Sequence, residues 1–80
     1  MSIRALRTLL AIAQHGSFAQ AAQSVHLTQS AVSLQIKTLE ETFNAALFDR
    51  SRRLPVLTDA GHVAVERARE ILALYDGIAV

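Results

Sequence analysis

Cysteine is absent from all 80 residues, which removes disulfides, classical zinc fingers and cysteine nucleophiles from consideration together. Acid is absent from the first half: no carboxylate side chain precedes Glu40, while Arg4, Arg7 and Lys37 stand in the same stretch. A polyanion meets no opposing charge there in sequence. Long apolar runs are lacking too. Residues 9–13 form the longest wholly apolar run of the first helical segment, far short of the roughly 20 residues that span a bilayer. Arg4 and Arg7 ahead of it faintly resemble a signal peptide, but the alanine-rich segment that follows has capping chemistry and no cleavage region. The expected setting is cytoplasmic, away from the membrane. Repeats, low-complexity tracts, phosphate-cradling glycine motifs and oxyanion loops are all missing. His15, His26 and His62 fall in three separate elements without ligand spacing, so no metal site is expected. Glu40 and Glu41 are neighbours, about 100° apart on a helix, and cannot face one another as an acid and base pair. Neither an enzyme nor a cofactor is expected.

A chain of this length makes one domain that buries only about 60% of its unfolded surface and gains from a partner. The net charge of +1 and pI near 8.4 decide little, since a nucleic-acid binder is announced only above about 9. The distribution is more informative. Acids collect at Glu40, Glu41, Asp49, Asp59, Glu66, Glu70 and Asp76, and most should face away from a polyanionic ligand.

The pattern predicts four helices and a hairpin. The first helix runs from Ile3 to about His15, with Ile3, Leu6, Leu10 and Ala13 on a stripe that Leu9 and Ile12 widen, and Gly16 ends it. Ser17 caps a second helix from Phe18 to about Ser24, with Gln20 where a capping box wants Glu or Gln. Val25 and Leu27 supply the apolar contacts of a tight turn. Thr28 caps a third helix, Gln29 to Phe43, whose core face is Val32, Ile36, Leu39 and Phe43, and Asn44 is its left-handed stop. Short strands over 47–50 and 56–58 flank a turn of Ser51, Arg52, Arg53, Leu54 and Pro55, the proline suiting an edge. Phe48, Leu54 and Val56 are expected to anchor this hairpin to the core. Thr58 caps the last helix. Helix, helix, helix, two-stranded wing, helix is a mainly α, winged helix-turn-helix with a long C-terminal helix: a DNA-binding unit over 1–58 and a linker or dimerisation helix from 59 to 80.

The outer face of the third helix is Gln29, Ser30, Ser33, Leu34 and Lys37, short and polar enough to enter a major groove. Gln29 and Ser33 are the expected base readers against a plainer reading as solvated positions. Ser30 is shared with first-turn amide capping. Ser17 and Thr28 are caps first, and a helix amino terminus that holds a phosphate is compatible with capping. Lys37 is a phosphate contact or a solvated lysine. Arg50 pairs with Asp49 or a helix acid, or else meets a phosphate. Arg52 and Arg53 at the wing tip are a soluble turn or a clamp on backbone or minor groove. Winged helices also dock proteins, but that role calls for an apolar or acidic outer face, and only Leu34 fits it.

The run GSFAQAAQSVHLTQSAVSLQIKTLEETFNAALFDRSRRLPVLTDAG resembles the amino-terminal DNA-binding domain of LysR-type transcriptional regulators over about residues 3–72. The resemblance rests on Gly16-Ser17-Phe18, Ala21-Ala22, residues 28–33, Gln35-Ile36, Leu39-Glu40, Leu47-Phe48, Arg50, Leu57-Thr58 and Ala60-Gly61 in that order. It implies a bacterial transcription factor, a dimer or tetramer on dyad-symmetric operators, with an effector-binding domain beyond a linker helix in which this chain stops. It also favours a phosphate for Arg50. Three positions depart from the family pattern: Ser30 where proline is frequent, Leu34 where arginine is frequent, and Asn44 where glycine is usual. Leu34 replaces a bidentate guanine contact with an apolar one, as to a thymine methyl.

Along the last helix Ala64, Ala68, Ile71, Tyr75 and Ile78 recur at coiled-coil spacing, and Val65 and Leu72 widen the seam. Unpaired, it is an exposed apolar patch. A homodimer through Ile71, Leu72, Tyr75 and Ile78 removes it, and the resemblance implies that the two helices run antiparallel.

Overall fold

Leu9, Ile12, Ile36, Leu39 and Leu47 are almost wholly excluded from solvent, each contributing about 1.5–3 kcal/mol by burial. They are brought together in the computed structural model, which describes residues 1–78, by a first helix that touches all the others. Helix α1 (Ile3–His15) packs against α2 (Phe18–Ser24), α3 (Gln29–Phe43) and α4 (Asp59–Ile78), with β1 (Phe48–Asp49) and β2 (Val56–Leu57) between α3 and α4. Each of the first three helices begins at a hydroxyl cap. Ser2 accepts from the Ala5 amide, Ser17 from Gln20 and Thr28 from Ala31, at 3.0–3.1 Å. Thr58 does the same for α4 through Gly61. Gly16 and Asn44 close α1 and α3 in the left-handed conformation, at φ 76° and 52°.

The turn between α2 and α3 holds a surprise at His26, which takes φ 59° without being glycine. The Leu27 amide closes the turn on the Ala22 carbonyl at 3.0 Å. Val25 packs on the core as expected, but Leu27 is exposed: the left-handed residue before it swings its side chain outward.

The strands are shorter than the sequence pattern suggests, two residues each, paired antiparallel with Phe48 opposite Leu57 and Asp49 opposite Val56. Directly opposed residues share a face. Phe48 points inward, so Leu57 does too, and Asp49 and Val56 face solvent. Val56 and Leu54 therefore do not anchor the hairpin. Both are exposed, and Leu57 and Phe48 carry that role. Phe43, expected in the core, is 39% exposed, because it borders an open apolar groove beside α4 that no element of the domain fills.

One polar side chain enters the core. Thr8 is buried, with its hydroxyl 3.1 Å from the Arg4 carbonyl and 2.7 Å from the Gln35 amide group, which ties α1 to α3. Helix α4 inserts Val65, Ala68 and Leu72 into the core and is held at its far end by a two-pronged ion pair between Arg7 and Asp76. This pairing raises the Arg7 guanidinium above its ordinary value and holds the Asp76 carboxyl below its own.

Candidate nucleic-acid interface

The start of α2, the start of α3 and the wing converge on one open cleft of about 400 Å³, with Ser17, Gln29, Ser33, Arg50, Arg52 and Arg53 in its wall. Sequence spacing alone brought none of these three segments together. The α2–α3 turn sets the two helices side by side, and the hairpin then folds the wing back beside the start of α3. Gln29, Arg50, Arg52 and Arg53 are exposed, while Ser17 and Ser33 are half-buried. Ser17 and Thr28 each accept a bond from a helix amide, which leaves each hydroxyl proton free to be donated outward.

The remaining site residues lie around this cleft. Ser30 and Thr28 are exposed beside it at the head of α3. Leu34 is 64% exposed and borders a shallow hollow with Met1, Ala5 and Thr38 toward the start of α1. Lys37 is on the other flank, in a hollow shared with Glu40, Glu41 and Asn44. Ile71, Tyr75 and Ile78 are exposed along α4, whereas Leu72 is in the domain's own core and out of a partner's reach. Residues 65, 68 and 72 share one helical face, and α1 occupies it.

Charge is arranged differently from the linear pattern. Arg7 is neutralised by Asp76 from the opposite end of the chain, so it does not belong to the basic surface. Glu40, grouped in sequence with acids expected to face away, is half-buried beside the cleft and paired with Arg50 at 3.5 Å. The Arg50 guanidinium lies 5.0 Å above the Phe18 ring, and Phe18 meets Phe48 edge-on at 5.4 Å. Asp49, the other candidate partner for Arg50, instead takes the amide and hydroxyl of Ser51, bonds that hold its carboxyl below the usual range. Phe18 and Pro55 were missed as parts of the cleft wall, and Glu40 as the partner of Arg50. For Glu40 one signal was available: it is the first acid after a basic stretch and lies on the flank of the helix that carries Gln29 and Ser33.

A capped helix pair, a cleft lined by short polar groups and arginines, and a two-stranded wing over it define a winged helix-turn-helix. The chain belongs to the LysR family: the family described as bacterial regulatory helix-turn-helix protein, lysR family, matches residues 3–62. It is 53% identical over 73 residues to a probable RuBisCO transcriptional regulator of Cyanophora paradoxa, covering 91% of this chain and 22% of that protein. A protein of the same description from Trichormus variabilis is 48% identical over 69 residues, 86% of this chain and 20% of the relative. The chain thus spans about a fifth of the curated relatives it matches. Among solved structures, the CbnR_DBD–DNA complex superposes with a TM-score of 0.93 at 37% identity over 99% of this chain and 91% of that one. Full-length OxyR C199D from Pseudomonas aeruginosa gives 0.93 at 32% identity, over 99% of this chain and 27% of that one.

Proposed function

We propose that this chain is the sequence-specific double-stranded DNA-binding domain of a bacterial LysR-type transcriptional regulator, acting in the cytoplasm without catalysis. The observation that carries the reading is the cleft in which α3's outer face and the wing arginines open on the same side. Residues 1–58 carry the DNA-contacting surface, and 59–80, whose α4 completes the core of that unit, begin the linker helix, the last two residues lying outside the described ones. Helix α3 enters the major groove. Gln29, Ser30 and Ser33 meet base edges, and Leu34 offers an apolar contact suited to a thymine methyl. Ser17 and Thr28 donate their hydroxyl protons to phosphates, Lys37 and Arg50 meet the backbone, and Arg52 and Arg53 reach the backbone or the minor groove.

A second copy of the chain completes the module. Along α4, Ile71, Leu74, Tyr75 and Ile78 are 38%, 76%, 52% and 83% exposed. Beside them runs an apolar groove of about 410 Å³ bordered by Met1, Phe43, Val63, Ala64, Arg67 and Ile71. An α4 from a partner, laid antiparallel, covers both. The homodimer presents two α3 helices about 34 Å apart to a dyad-symmetric operator, and the full-length protein is a dimer or a tetramer.

Titration of a mixed-sequence 25-base-pair duplex at several salt concentrations tests the reading. Log affinity is expected to fall linearly with log salt, about 0.9 unit for each phosphate contacted. A salt-independent affinity makes the domain a protein-docking module instead.

A further inference from the structure

A carboxylate beside a DNA-binding cleft repels the ligand, so Glu40 needs a reason to be there. Its two oxygens have separate work. Oε2 accepts the Leu47 amide at 2.8 Å, fixing the point where the chain leaves α3 for the wing. Oε1 faces the Arg50 guanidinium at 3.5 Å. Arg50 is at the same time stacked over Phe18, the first residue of α2, at 5.0 Å. Phe18 is braced edge-on by Phe48 of β1. One flexible side chain, half-exposed at its tip, is thus held from α3 on one side and from α2 on the other. Arg50 lines the cleft with Gln29 and Ser33. An arginine left loose on a wing loses rotamer entropy each time it meets a phosphate, and one already held does not.

We propose that Glu40 is a positioning residue for DNA binding, which acts through Arg50 by holding its guanidinium, against the Phe18 ring, in the orientation that meets a phosphate. This rests on the DNA-binding reading. It goes beyond it by giving a function to an acid that never touches the ligand.

The proposal makes a prediction opposite in sign to simple electrostatics. Removing a negative charge near the cleft should strengthen binding to a polyanion at long range. If Glu40 positions Arg50, Glu40→Gln weakens binding, because the amide still accepts the Leu47 N–H but no longer attracts the guanidinium. The experiment is a double-mutant cycle on the full 80-residue chain, with wild type, E40Q, R50A and E40Q/R50A titrated against a mixed-sequence 25-base-pair duplex at four salt concentrations. Thermal unfolding of each variant confirms that it is folded. Expected are a several-fold loss of affinity for E40Q, a salt slope shallower by about one unit for R50A, and no further loss when E40Q is added to R50A. Tighter binding by E40Q, unchanged binding, or an equal loss in both backgrounds overturns the proposal. E40A removes the Leu47 bond as well and should lower the unfolding midpoint, which E40Q should not. A wild type that binds no duplex at low salt overturns the DNA-binding reading itself, and this inference with it.

Discussion

A β-carbon on Gly61 would lie 2.0 Å from the Leu47 carbonyl oxygen, so backbone meets backbone at this point and neither side has a flexible end to move. The same carbonyl accepts the Thr58 amide at 3.0 Å, which locks the start of α4 onto the root of the wing. Gly61→Ala is expected to cost at least about 2 kcal/mol, read as a lower urea midpoint with unchanged slope. Gly77 is the internal control: a β-carbon there meets nothing, and Gly77→Ala should be neutral or stabilising. Base reading is also decided residue by residue. Gln29 is exposed at the head of α3, and its amide can pair bidentately with N6 and N7 on the major-groove edge of an adenine. Gln29→Ala and Ser33→Ala are expected to weaken binding to a duplex selected from a random pool by about 1–3 kcal/mol each, with mixed-sequence duplex almost unaffected. Neither side chain carries charge, so neither enters counterion release. Equal losses on both duplexes would make these positions structural.

At the scale of elements, the wing is small and its chemistry lies at the tip. Two residue pairs hold the strands together. Phe48 and Leu57 root them in the core, and Arg52, Arg53 and Leu54 are left exposed. Exposed leucine between arginine and proline is the composition of a wedge set among cationic contacts to a minor groove. The Arg52→Ala, Arg53→Ala double variant should lose affinity on every sequence and flatten the salt slope by about one unit for each phosphate contact removed. An unchanged slope would leave the wing a passive loop. Its fold should persist, because neither arginine is engaged in an ion pair among the described residues.

For the whole molecule, the proposed homodimer depends on the division of α4 into two faces. Val65, Ala68 and Leu72 face inward, and Val63, Ile71, Leu74 and Ile78 face out. Ile71→Asp with Leu74→Asp should therefore give a folded monomer by sedimentation, whereas Leu72→Asp should unfold the domain, since it buries a charge without a partner. A dimer that survives the outer-face variant places the interface elsewhere. Asp76, clamped by Arg7, holds the exposed end of α4 on α1. Both groups of that pair are open to solvent, so it serves orientation more than stability.

Helix positions were legible in the chain because caps and stops are local chemistry. Ser17, Thr28 and Thr58 begin helices, and Gly16 and Asn44 end them, through bonds that span three or four residues. The core stripe Val32, Ile36 and Leu39 follows from helical periodicity in the same way. Residues at the boundary of what neighbouring elements cover were not legible: Phe43, Leu54 and Val56 are apolar at plausible core positions yet exposed, because only the packing decides where cover ends. The broad apolar arc of α4 reads as one seam in sequence, and only the position of α1 splits it into an inward face with Leu72 and an outward face with Ile71 and Tyr75. The cleft is likewise tertiary. Its residue types could be picked out one by one, but Glu40 opposite Arg50 across ten residues, and Arg7 opposite Asp76 across nearly the whole chain, are neighbours that no local rule contains. Local bonding set where the helices begin and end, while charge pairing and cover depend on distances that exist only once the chain is folded.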